Sequence, residues 1–293
     1  MVHDNNSISD IKYQLTQLQK GFLWLLFIGC SFLVFNIGGY NSFVPANLIL
    51  PTRLSIVVII FISTFILYRN KRGLLRYWDL SFSFLISAIG LLFAYFLGRW
   101  YLLIPGLSTG TVEGTAIAKV AEVLPIVVSI LVGVWIAEKD FTPAFIRGGN
   151  IRKSMKLGVV ASLVAFIPFL LMGGLGLTAT PIMILQWLPW MFVFGFSNAF
   201  MEELMIRGIF LRKYGVFFGD RTSLLLTSVI FMIFHQAIIG FTDIISFSIF
   251  MVMTFCLGLI WGYVMQKSDS IWGSVFAHMV ADILLILVVF GVG

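Results

Sequence analysis

The chain of 293 residues is 60% hydrophobic and only 11% charged, with a mean hydropathy of +1.03 and a formal net charge of +6. That apolar content exceeds what the core of one soluble domain needs, which excludes a water-soluble globular protein. The expected fold class is all-α: a polytopic transmembrane helical bundle of about nine spans.

In chain order, residues 1 to 20 are polar and mixed in charge. They lack the short apolar core and small-residue cleavage site of a removable signal peptide, and are expected to form a cytoplasmic segment. Apolar stretches follow at 21 to 38, 54 to 68, 80 to 98, 116 to 137 and 157 to 177, and group as N-terminal transmembrane helices over 21 to 177. Four more, at 182 to about 213, 222 to 240, 244 to 265 and 271 to 290, group as a C-terminal helical core over 178 to 293. The sixth stretch is too long for a simple crossing, so it should tilt, bend or carry its last turns past the membrane surface. Trp187 and Trp190 near its start suit interfacial anchors, and Gly258 with Gly262 gives the eighth stretch a small face for helix packing. Cys30 and Cys256 lie inside apolar stretches, where buried thiols are expected rather than a disulfide framework.

Basic residues mark cytoplasmic loops, and here they alternate cleanly. Lys12 and Lys20 precede the first stretch; Arg69, Lys71, Arg72 and Arg76 follow the second; Lys139, Arg147, Arg152, Lys153 and Lys156 follow the fourth. Arg207, Arg212, Lys213, Arg221 and Lys267 continue that side, whereas the opposite loops hold Arg53 and Arg99. Nine crossings with the N-terminus in the cytoplasm and the C-terminus outside fit this pattern. Lys119 lies within the fourth stretch, three residues from Glu122, and the two suit a mutual pair near the outer side. The basic balance is thus explained by topology and anionic lipid, with no nucleic-acid partner required.

An ionisable side chain at bilayer depth costs at least about 2.5 to 3.5 kcal/mol, so each one there demands a partner. Glu202, Glu203 and Arg207 stand together in the sixth stretch, His235 in the seventh, and His278 with Asp282 in the ninth. With about 1.5 Å of rise per residue, His278 lies about 11 Å from the cytoplasmic boundary, Asp282 about 17 Å, His235 about 20 Å and the two glutamates about 15 Å. Three helices can therefore converge on one buried polar site. Residues four apart share a helix face, which pairs Phe231 with His235, His278 with Asp282, Glu203 with Arg207 and Asn198 with Glu202. Glu202 and Glu203 point about 100° apart, so one can face the site while the other is tied to Arg207.

The three motifs, Glu202-Glu203-x-x-x-Arg207, Phe231-x-x-x-His235 and His278-x-x-x-Asp282, resemble in order those of the CAAX protease and bacteriocin-processing (CPBP, or Abi) family of intramembrane endopeptidases. Many relatives carry Asn at the last position. The resemblance covers about the final hundred residues. It implies hydrolysis of a peptide bond by water activated at Glu202 with help from His235, while His278 and the residue at 282 help to hold the oxyanion. An ionised Asp282 cannot donate to an oxyanion, so it must be protonated, orient His278 or serve a metal, and the orienting role is favoured.

Glu202, His235 and His278 could also hold zinc with one position left for water, although no His-Glu-x-x-His pair is present and a metal-free mechanism is favoured. The substrate class implied is a hydrophobic or lipid-modified peptide in the bilayer, and the expected location is a bacterial cell membrane. Two other uses of such buried groups stand beside this one: a proton-coupled transporter, and a non-catalytic membrane scaffold or bacteriocin-immunity-type protein.

Overall fold

A computed structural model describes residues 15–39, 44–239 and 243–292. Among them the chain is a polytopic bundle of helices, with one isolated backbone bridge, Leu177 to Val292, in place of any sheet. Among the described residues, eight helical segments are long and apolar enough to cross a membrane. Most of the expected cytoplasmic segment at 1 to 20 falls outside the described residues.

Helix α1 (Gln17–Ser31) starts from a capping box between Thr16 and Gln19 and widens at its end into a π-helical stretch, Phe32–Ile37. Helices α2 (Ile49–Arg69), α3 (Lys71–Leu97) and α4 (Val112–Glu138) form an antiparallel run, and α4 then packs along α7 (Pro181–Glu202). The stretch expected at 157 to 177 begins earlier and is broken. It comprises α5 (Ile151–Ser162), a short 3-10 turn, and α6 (Phe166–Leu171), whose Pro168 cannot donate into a helical ladder. Beyond α7 come α8 (Leu211–Phe218), α9 (Asp220–Ile239), α10 (Ile244–Ser268) and α11 (Trp272–Gly291).

The core that fixes the site is aromatic. Phe35 meets Phe84, Phe210 and Phe234 with ring centroids 6.0–6.4 Å apart, and Phe27 stacks on Tyr214 at 5.3 Å. These rings bind α1, α3, α8 and α9 into one unit. The buried Asn36 Nδ2 donates to the carbonyl of Ile233 at 2.8 Å, which ties the end of the first span to α9 two residues before His235. On the opposite side α5 crosses α11 almost in backbone contact: the Gly273 N–H donates to Ser154 Oγ at 2.8 Å. The Gly258–Gly262 face of α10 packs against Ser228 and Leu224 of α9 and also makes room for Arg207. Cys30 is half-buried, but Cys256 is exposed on the outside of α10, so the expectation of a buried thiol fails there. In a bundle whose outer wall faces lipid, an apolar stretch does not say which of its faces is inside.

Candidate active site

The sixth span is resolved neither by tilt nor by one straight helix. Helix α7 ends at Glu202 and the chain passes into a π-helical turn, Glu203–Gly208, with the Ile209 N–H reaching back five residues to the Leu204 carbonyl at 3.1 Å. Such turns insert one residue into the ladder and recur at functional sites. The turn lies inside the bundle: every residue from Met201 to Phe210 is buried. It is this widened turn that holds Glu203 and Arg207.

Arg207 Nη1 donates to Glu203 Oε1 at 2.6 Å, with both side chains fully withdrawn from solvent. A buried charge survives only when paired, and here the guanidinium also lies over the Phe231 ring, 4.3 Å from its centroid. The room for it comes from α10. A Cβ at Gly258 would stand 3.2 Å from Arg207 Nη2, and one at Gly262 would stand 3.6 Å from Nε.

The same Glu203 Oε1 lies 3.0 Å from His278 Nδ1. As the anion of an ion pair Glu203 can only accept, so Nδ1 of His278 donates and its Nε2 turns to the other side of the ring. On α9 the His235 ring is anchored in the same sense: its Nδ1 is 2.9 Å from the Phe231 carbonyl, which also can only accept. Both rings therefore aim Nε2 at one atom. Glu202 Oε2 lies 3.5 Å from His235 Nε2 and 3.7 Å from His278 Nε2, and this buried oxygen receives no hydrogen bond from the protein.

Asp282 is placed differently from the expectation. Its Oδ1 is 3.8 Å from His278 Nε2, beyond hydrogen-bond reach, while its Oδ2 accepts from Asn198 Nδ2 at 3.1 Å. The carboxylate that orients His278 is Glu203. Asn198, one turn before Glu202, serves Asp282 instead. The structure thus brings Glu202, Glu203, Arg207, Phe231, His235, His278, Asp282 and Asn198 into one cluster, and Lys119 pairs with Glu122 at 2.8 Å as the spacing indicated.

One further side chain in this cluster is not signalled by any motif. The Trp261 indole lies flat on the His278 imidazole, with centroids 3.9 Å apart and planes 17° apart, and meets Phe231 edge-on at 5.6 Å. Phe231 in turn contacts both imidazoles, at 4.2 Å for His235 and 5.7 Å for His278.

Zinc with nitrogen and oxygen ligands at about 2.0–2.2 Å holds its donors roughly 3.3–3.6 Å apart. Glu202 Oε2 stands 3.5 Å from His235 Nε2 and 3.7 Å from His278 Nε2, at the edge of that range. Among the described residues no group of three or more His, Cys, Asp or Glu side chains is disposed to hold a metal ion.

The helical bundle thus buries a carboxylate between two imidazoles, an arrangement from which general acid-base chemistry can be drawn. The comparison with known families makes this specific: residues 184–284 match the family model described as Type II CAAX prenyl endopeptidase Rce1-like. That segment of this multi-pass membrane protein is similar to CAAX protease-like domains, in agreement with the order of the three motifs, and it runs from α7 through most of α11. No curated protein and no solved structure matches the chain significantly.

Proposed function

We propose that residues 178–293 form the catalytic core of an intramembrane endopeptidase that hydrolyses a peptide bond in a hydrophobic or lipid-modified peptide, using Glu202 as general base. The observation that carries this reading is the buried Glu202 Oε2, without a protein donor and flanked by His235 Nε2 and His278 Nε2 at 3.5 and 3.7 Å.

Water is a poor nucleophile until a base takes its proton in the transition state. A water lodged between Glu202 and His235 gives that proton to the Glu202 carboxylate as its oxygen bonds to the scissile carbonyl carbon. His235 Nε2, whose ring is fixed through Nδ1, accepts the water's second hydrogen and so orients its lone pair. The carbonyl oxygen gains the negative charge, and a protonated His278 donates Nε2–H to it, with Glu203 on the far nitrogen and Asp282 as nearby counter-charge. Glu202 then passes its proton to the leaving amide nitrogen as the C–N bond breaks. The steps rest on side chains alone, with no metal ion.

The test is cleavage of a library of membrane peptides by the purified full chain in nanodiscs, comparing wild type with Glu202→Gln, with and without chelator. The amide keeps the shape and loses the base, so turnover should fall by about 10²–10⁴-fold at an unchanged melting temperature. Chelator should leave wild-type turnover intact. Equal cleavage by the two proteins would exclude Glu202 as the base, and loss on chelation would require a metal.

A further inference from the structure

Three basic side chains lie away from the basic face of the molecule: Arg53, Arg99 and Lys119. They come from different parts of the fold, the start of α2, the turn after α3 and the second turn of α4, yet all three line one cavity of about 360 Å³. The described lining includes one carboxylate against them, Glu122, so the walls carry a net charge of +2 (three cations less one acid). The Tyr101 hydroxyl adds a neutral polar group, while that of Thr115 donates to the Thr109 carbonyl at 2.8 Å. The Glu202 cluster is elsewhere, about 12 Å along α7 from Phe194, the lining residue nearest to it in sequence.

The mouth of this cavity is built for a bilayer surface. Directly after Arg99, the residues Trp100, Leu102 and Leu103 project outward and are 42%, 65% and 83% exposed. An apolar, Trp-bearing turn of this kind seats itself at the boundary between headgroups and acyl chains, which puts the neighbouring Arg99 at phosphate depth. Lys119 lies about 10 Å further in, seven residues from the start of α4. Arg53 is locked at the base by hydrogen bonds to the Leu91 and Gly39 carbonyls, so its position needs no ligand to define it. The volume equals roughly a dozen waters' share of liquid, room for a phosphate and an attached glycerol.

We propose that this cavity is a binding site for the phosphate-bearing headgroup of an anionic phospholipid, held by Arg99 and Lys119 over a floor formed by Arg53. Cations on the side of the membrane where they are otherwise scarce are gathered at one place, and arginine presents a fork of donors that matches phosphate oxygens.

The test uses the full chain reconstituted in nanodiscs made from equal parts of phosphatidylglycerol and phosphatidylcholine, followed by extraction into detergent and mass spectrometry of the lipid retained. Wild type should retain phosphatidylglycerol over phosphatidylcholine by several-fold, since each cation near an anionic group is worth about fivefold. Arg99→Gln with Lys119→Gln should return the ratio to that of the disc, and Arg99→Lys, which keeps the charge, should hold most of it. Arg99 is exposed in a turn, so its replacement leaves the fold intact. A wild-type ratio equal to that of the disc, or a double variant that keeps the enrichment, would overturn the proposal. In discs of phosphatidylcholine alone, millimolar inorganic phosphate should not reproduce the thermal stabilisation given by phosphatidylglycerol; if it does, the ligand is a free anion and not a lipid.

Discussion

His278 Nδ1 and Glu203 Oε1 are 3.0 Å apart, and the oxygen that receives this imidazole also receives Arg207 Nη1 at 2.6 Å. One carboxylate oxygen therefore joins the π-helical turn at the end of α7 to the middle of α11. With Glu203 committed in this way, its neighbour Glu202 is left to face both imidazole Nε2 atoms. The adjacent glutamates divide the work through the direction each leaves the helix, and the division depends on Arg207 being inside the bundle.

Removing either member of the buried pair leaves the other charged and alone, which costs about 3–5 kcal/mol. Glu203→Gln and Arg207→Met should each lower the melting temperature sharply. The double variant should recover a large part of that loss, because neither charge then remains. It should stay inactive, since His278 has lost its anchor. Thermal unfolding of the four proteins in one detergent gives the coupling term, and a coupling near zero would mean the pair contributes no joint stability.

Trp261 should act on rate as well as on fold. Aromatic stacking beyond simple burial is worth about 0.5–1.5 kcal/mol, so losing the flat face against His278 should reduce kcat by roughly 2- to 13-fold. Trp261→Phe keeps a ring at that position and should retain more turnover than Trp261→Leu. A residue that serves packing alone would instead lower the melting temperature of the two variants in step with their activity.

The site was legible in the sequence to the extent that lipid made it so. Glu202, His235 and His278 stand out because charge at bilayer depth needs a partner, and counting helical rise put them in one slab. The anchor of His278 was not legible. Helical spacing offers Asp282, four residues along the same helix, whereas Glu203 reaches the ring from a π-helical turn whose extra residue no 3.6-residue period encodes. Trp261 and Asn36 were hidden for a related reason, since a Trp or Asn within an apolar run does not announce which helix it will meet. Orientation of a lipid-facing wall was equally obscure, as the exposed Cys256 shows.

Glycines that read alike in sequence should differ in their tolerance of a methyl group. A Cβ at Gly273 would lie 2.1 Å from the Ser154 carbonyl oxygen, a backbone atom, while one at Gly262 would meet the Leu224 Cδ1 methyl at 2.5 Å. A side-chain tip can swing aside and a helix backbone cannot. Gly273→Ala should cost about 3 kcal/mol and Gly262→Ala about 1 kcal/mol. Because Gly273 precedes His278 by five residues on α11, its variant should also lose activity, as measured by turnover per folded molecule.

The first turn of α10 should loosen in acid. Asp243 Oδ1 accepts from the N–H groups of Ser246 at 2.8 Å and Ile245 at 3.0 Å, and these bonds, that from Ser246 foremost, hold its carboxyl below the ordinary value. A group with a lowered folded pKa contributes its stability above the unfolded value, about 3.9 for Asp, and loses it as pH falls through the lower folded value. Amide exchange at Ile245, Ser246 and Phe247, corrected for the intrinsic pH dependence of exchange, should therefore be slow near neutrality and accelerate below about pH 4. Asp243→Asn keeps a cap with a neutral acceptor, so its protection should stay flat across that range, whereas Asp243→Ala should expose the turn at every pH. Protection in wild type that does not change between neutrality and acid would show that the cap acts through its shape and not its charge.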